Sequence, residues 1–142
     1  MEHTFQSEER LTVMAYTHLQ SWYNKPRELS TVEKEWLERL LDHTLTDREI
    51  LQKQLMHSKV IGECMCGCKS INIKIESVAQ SYPYPERIPV EMTVYESGKA
   101  PIMILLHVVN GYINELEVLR ADSTPIIGNI DLSNTEVLVN IQ

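Results

Sequence analysis

Ile102-Met103-Ile104-Leu105-Leu106-His107-Val108-Val109-Asn110-Gly111-Tyr112-Ile113-Asn114-Glu115-Leu116-Glu117-Val118-Leu119 is the stretch that decides the fold of this chain. Asn110-Gly111 is a strong short hairpin signal, because both residues accept the positive φ that a type I′ turn requires. Before it, Ile102 to Val109 is apolar on both faces of an extended chain, which predicts a strand near the centre of a sheet. After it, Tyr112 to Leu119 returns as the antiparallel partner. The pair is too apolar to stand alone and needs further strands or helices to cover it.

Working outward, the same two-residue period recurs upstream. Ile71, Ile73 and Ile75 alternate with Asn72, Lys74 and Glu76, the pattern of a half-buried strand. Val90 to Tyr95 resumes it after a stiff loop at Tyr82-Pro83-Tyr84-Pro85 and Pro89. Downstream, two short apolar pieces lie around 126–130 and 137–141.

The first 58 residues carry a helical period instead. Leu11, Met14, Ala15, His18, Leu19 and Trp22 share one helical face, with Asn24 and Pro26 as the stop signal. Ser30-Thr31-Val32-Glu33 is a capping box that opens a second helix, with Val32, Trp36, Leu37, Leu40 and Leu41 as its buried face. Thr46-Asp47-Arg48-Glu49 reads as another, opening a third helix that buries Ile50, Leu51 and Leu55 and ends near Ser58. The expectation is one α+β domain over 1–142, helical over about 1–58 and strand-rich over about 59–142. N-terminal helices would pack on a mainly antiparallel β-sheet.

The chain has 142 residues with 43% hydrophobic and 23% charged, ordinary values for a globular domain. Its net charge is −7. Residues 1–60 hold 8 Lys/Arg against 10 Asp/Glu, and residues 61–142 hold 5 against 10, so the excess is C-terminal. That balance repels nucleic-acid phosphates and favours encounter with a basic protein. No apolar run is long enough to span a bilayer. Glu2, Glu8 and Glu9 stand where a secretory n-region would need basic residues, so the expected location is the cytoplasm and no membrane partner is expected.

The three cysteines, Cys64, Cys66 and Cys68, fall within five residues. Alternate residues of a strand stand about 6.6 Å apart, too far to converge on a small ion unless Gly67 turns the chain. Small thiols buried against the helices are therefore the expectation. Zinc held by the three thiolates with His57 or His43 as fourth ligand is the alternative, and a redox switch a third reading. His18 and His107 read as core histidines. Nothing resembles a nucleophile elbow, a zincin helix, a P-loop or a dinucleotide fingerprint, so neither an enzyme nor a cofactor is expected. The strongest candidate surface is acidic. Glu115 and Glu117 share one face of the hairpin, Glu91 and Glu96 lie on or beside a neighbouring strand, and Asp122 follows the hairpin. If they converge they form a negative patch for a basic partner; otherwise they are a scattered acidic surface.

Glu63-Cys64-Met65-Cys66-Gly67-Cys68-Lys69-Ser70-Ile71 and Leu116-Glu117-Val118-Leu119-Arg120-Ala121-Asp122, together with the length, resemble small bacterial immunity proteins encoded beside polymorphic toxins. More narrowly they resemble the group paired with the wall-associated, Rhs-repeat toxins of the WapA type. The resemblance implies a non-enzymatic cytoplasmic inhibitor. It would bind the C-terminal nuclease domain of a cognate WapA-type toxin, typically a tRNA nuclease, without touching nucleic acid itself. It assigns no binding residues. The rival expectation is a small metal- or thiol-dependent cytoplasmic enzyme or sensor built on Cys64, Cys66 and Cys68.

Overall fold

A computed structural model describes residues 20–141 of the chain. Its elements run β1 (Gln20–Arg27), α1 (Thr31–Leu41), α2 (Arg48–Leu55), β2 (Ser58–Cys64), β3 (Ile71–Ile75), β4 (Val90–Val94), β5 (Ile102–Val109), β6 (Tyr112–Arg120) and β7 (Thr135–Val139). The seven strands make one sheet in the order β1-β2-β3-β6-β5-β4-β7, and every neighbouring pair is antiparallel. Both helices lie on one face. The α+β architecture expected from the sequence is the one observed, except that a strand, β1, precedes the described helices.

The β5–β6 hairpin forms as its sequence dictates. Its strands pair from Ile102↔Arg120 to Val109↔Tyr112, and Asn110 and Gly111 take φ of 53° and 87°. The register shifts between His107 and Val108, where Asn114 is the extra residue. That bulge explains why Ile113 and Leu116, three apart, are both fully buried, although a regular strand alternates strictly. Gly111 admits no side chain, since a Cβ there would sit 2.9 Å from the Tyr82 carbonyl oxygen.

One buried amide ties the helices to this turn. Gln54, near the end of α2 and fully buried, donates to the carbonyls of Gln80 (2.9 Å) and Gly111 (2.8 Å). Its Oε1 accepts from the Ile113 amide at 2.9 Å, just before the bulge. The core lies between helices and sheet, with Trp36, Leu37, Leu40, Leu41 and Leu51 facing Met92, Ile104, Leu106, Leu116 and their neighbours.

Several sequence expectations are corrected. The first predicted helix lies outside the described residues as far as Leu19, but its end does not form. Trp22, Asn24 and Pro26 belong to β1, which pairs with β2 through Trp22↔Gly62 and then bulges before Arg27↔Val60. Gly62 explains the pairing, because a Cβ there would meet the Trp22 ring at 2.8 Å. An edge position with a bulge also tolerates Pro26, which has no amide to donate.

The capping box at α1 is present: Ser30 accepts from the Glu33 amide, and the Glu33 carboxylate accepts from the Ser30 amide. Val32, expected in the core, is exposed. Glu33 is buried in its stead, because Arg27 of β1 forms two 2.9 Å bonds to its carboxylate. The box at Thr46–Glu49 does not form. Asp47 has left-handed φ of 55° and caps nothing. Its carboxylate accepts from Tyr84 (2.6 Å), while the Thr46 carbonyl accepts from Tyr82 (2.5 Å), so the proline-rich loop takes over these groups. The apolar piece at 126–130 forms no strand, although Ile126 is buried.

Gln54→Ala should lower stability by about 2–4 kcal/mol, because it removes three bonds and leaves the buried Ile113 amide without a partner. Gln52→Ala, exposed on the same helix with one long bond (3.4 Å) to the Leu41 carbonyl, should cost under about 1 kcal/mol. Equal effects in urea unfolding would show that the amide clasp is not a structural tie.

Candidate binding face and thiol cluster

Strand alternation gives the sheet a second face. On β5, Ile102, Ile104, Leu106 and Val108 point to the helices and are buried, while Met103, Leu105, His107 and Val109 point away and are half-buried. The register carries this outer face across the sheet. Glu91 lies opposite Leu105 and Leu138, Leu105 opposite Glu117, His107 opposite Glu115, and Glu115 opposite Asn72. Among the described residues no helix covers it.

Three of the five acidic residues singled out from the sequence meet there. Glu115 and Glu117 stand two apart on β6, and Glu91 lies two strands away, about 10 Å distant. Glu136 of β7, opposite Thr93, joins the same face. The other two do not converge with them. Glu96 is bound by Arg120, which points to the core side and donates to its carboxylate at 2.8 Å. Asp122 is exposed in the loop after β6, where its carboxylate accepts from the Thr124 amide and hydroxyl.

His107 is a functional candidate that the sequence reading assigned to the core. Its Nδ1 accepts from Arg87 Nε at 3.0 Å, and its Nε2 lies 2.7 Å from Glu117 Oε1. With Nδ1 accepting, the proton sits on Nε2 and is donated to Glu117. The clue was its phase on the strand, shared with Met103 and Leu105 rather than with the isoleucines. Arg87 carried no such signal, because it lies in an irregular segment. Glu91 accepts from the Asn140 side chain at 3.0 Å. Among the described residues Glu115 has no comparable bond. Burial pushes its carboxyl above the usual range and Glu117 adds to the rise, against the opposing pull of His107 and Arg87.

The cysteines depart from the expectation of buried thiols. Cys66 is exposed and Cys64 and Cys68 are half-buried, all three free. β2 ends at Cys64, Gly67 turns the chain at φ 99°, and the three sulfurs gather. Cys64 Sγ and Cys66 Sγ are 2.8 Å apart, Cys66 Sγ and Cys68 Sγ 3.0 Å. His57 cannot join them. It stands before the first residue of β2, the opposite end of a seven-residue strand, with Nδ1 3.5 Å from Glu76. His43 is exposed beyond α1. His18 lies outside the described residues. A cavity of about 830 Å³ beside α1 and α2 is lined by Glu28, Lys34, Glu38, Arg39 and others, but by no cysteine or histidine.

Among the described residues, fold and site together define an α+β protein with a seven-stranded antiparallel sheet, helices on one face and a half-open polar–apolar face on the other. Residues 26–130 match the family model described as "Domain of unknown function (DUF6984)", and the chain belongs to that family. No curated protein and no solved structure matches the chain. None of the described helices is long and apolar enough to cross a membrane.

Glu115 supplies a pH test. A carboxyl whose folded-state pKa is raised costs the fold nothing below the unfolded glutamate pKa, and its cost grows as pH rises through the folded value. Glu115→Gln should therefore melt higher than the parent chain at pH 7, and the gap should close below about pH 4. A gap that stays constant across this range would show that Glu115 ionises freely.

Proposed function

We propose that this protein is a non-enzymatic, cytoplasmic immunity protein that binds and neutralises the nuclease domain of a cognate toxin. The observation that carries this function is the half-open sheet face, where Glu91, Glu115, Glu117 and Glu136 surround Met103, Leu105, Leu119 and Leu138. Acidic groups around a modest apolar centre on a stiff sheet suit a basic, partly apolar protein surface. Nuclease domains carry basic grooves for phosphate, so an acidic inhibitor gains both association rate and register from the match. Glu115 strengthens the case: it ionises against burial with no compensating bond among the described residues, and groups that work against the fold are characteristic of binding sites.

The sequence resemblance supports the choice of partner. The chain resembles WapI, the immunity partner of the WapA toxin, and the proposed target is the C-terminal domain of a WapA-type toxin, acting on tRNA. The immunity protein itself contacts neither the RNA nor a membrane.

The test is a neutralisation assay with the toxin C-terminal domain encoded beside this chain, following tRNA cleavage on a gel. Protection should saturate near equimolar protein. The double change Glu115→Lys/Glu117→Lys should slow association on the order of tenfold or more at low salt, with the difference shrinking as salt rises. Cleavage unaffected by excess protein would rule the function out. Full protection with unchanged salt dependence in the double variant would keep the function and move the interface elsewhere.

A further inference from the structure

Outside the sheet face, the feature with the most chemistry is the loop joining β2 to β3, which gathers every cysteine of the chain at one point. The three sulfurs all lie within 4.8 Å of one another. Two independent devices bring them there. Gly67 at φ 99° reverses the chain, and a side chain at that position would press on Pro125, its Cβ 3.1 Å from the proline Cβ. The loop is then pinned on several sides. The Cys64 amide donates to the Ser70 carbonyl (3.2 Å), the Lys69 amide to Val118 of β6 (3.0 Å), and the Ile126 amide to the Gly67 carbonyl (2.9 Å). Ser70 Oγ accepts from the Val118 amide at 2.8 Å. The thiols therefore sit on a framework fixed by β2, β3, β6 and the segment after β6.

Three neutral thiols have little reason to be held this close, since S–H is a weak donor and sulfur a weak acceptor. A disulfide would use two of them, at a bond length of about 2.05 Å, and leave the third unexplained. A soft cation uses all three. Tetrahedral zinc thiolates at about 2.3 Å place their sulfurs about 3.8 Å apart, so an ion entering between them would open the 2.8 Å and 3.0 Å separations by about 1 Å each. Exposure of Cys66 gives the ion a route in and leaves a further coordination position to solvent.

We infer that Cys64, Cys66 and Cys68 form a three-thiolate site for one thiophilic metal ion, zinc or copper(I), on the β2–β3 loop. The site is separate from the sheet face and does not depend on the immunity function. His57 takes no part. By tying the loop together, the ion stabilises the end of the sheet that carries β2, β3 and β6.

The probe is cobalt(II), which reports sulfur ligands by thiolate-to-metal charge-transfer absorption. Titrated into the reduced full-length chain, it should give this absorption up to one equivalent. Zinc should bleach it at one equivalent, and Cys66→Ser should abolish it while leaving the circular dichroism unchanged. Zinc at about 100 times its Kd should raise Tm by roughly 5–10 °C in the parent chain and not in Cys66→Ser. Cys68→Ser should behave in the same way, and His57→Ala should behave like the parent. Competition between zinc and copper(I), each delivered from a chelator buffer, then tells which ion the thiols prefer. A parent chain that shows no charge-transfer absorption, or a Cys66→Ser variant that keeps it, would overturn the site.

Discussion

The β5–β6 hairpin, and the buried amide that grips its turn, is the constraint on which the rest of this structure depends. A hairpin this apolar cannot remain in water as two strands. It needs strands at both edges and cover on one face. Gln54 supplies the link between cover and hairpin with three directional bonds, where apolar packing alone would leave the helices free to slide. Once α2 is fixed over the bulge, α1 must lie over β4 and β5, and the short connections then set where β2 and β3 enter. The bulge at Asn114 has a second consequence. It moves Ile113 into the core, and it aligns Glu115 and Glu117 with His107 on the opposite face.

The two faces differ in how their charges are handled. On the helix side each buried charge has a partner at short range, as Glu33 has Arg27 and Arg120 has Glu96. Among the described residues of the outer face, His107 is held from both sides, Glu91 has an amide, and Glu115 has no bond to set against its burial. A domain built for stability alone has little use for that last arrangement. It is understandable if a cationic partner completes the set, and this is the physical content of the proposed immunity function.

Much of this was legible in the sequence where the deciding interactions are local. The Ser30–Glu33 box, the Asn110-Gly111 turn and the alternation of Ile71, Ile73 and Ile75 each contain their own reason within a few residues. What failed depended on distant residues. Trp22 joins a strand because Gly62, forty positions later, leaves room for its ring. Asp47 caps nothing because Tyr84 claims its carboxylate. Glu96 leaves the acidic patch because Arg120 reaches across the sheet end. The cysteines meet because Gly67 abandons the extended geometry on which the spacing argument relied, an exception the sequence allowed but could not decide. His107 was misplaced because a strand apolar on both sides conceals which side is the core.

The central claim is that the outer face of the sheet meets the partner. Methyl NMR of the chain titrated with the toxin C-terminal domain tests it most directly, since Met103, Leu105, Leu119 and Leu138 report that face while Met56 and Val32 report the helix side. The account predicts that resonances of the first group shift or broaden up to one equivalent and those of Met56 and Val32 stay in place. Perturbation confined to Met56 and Val32 would contradict it and place the partner over the helices.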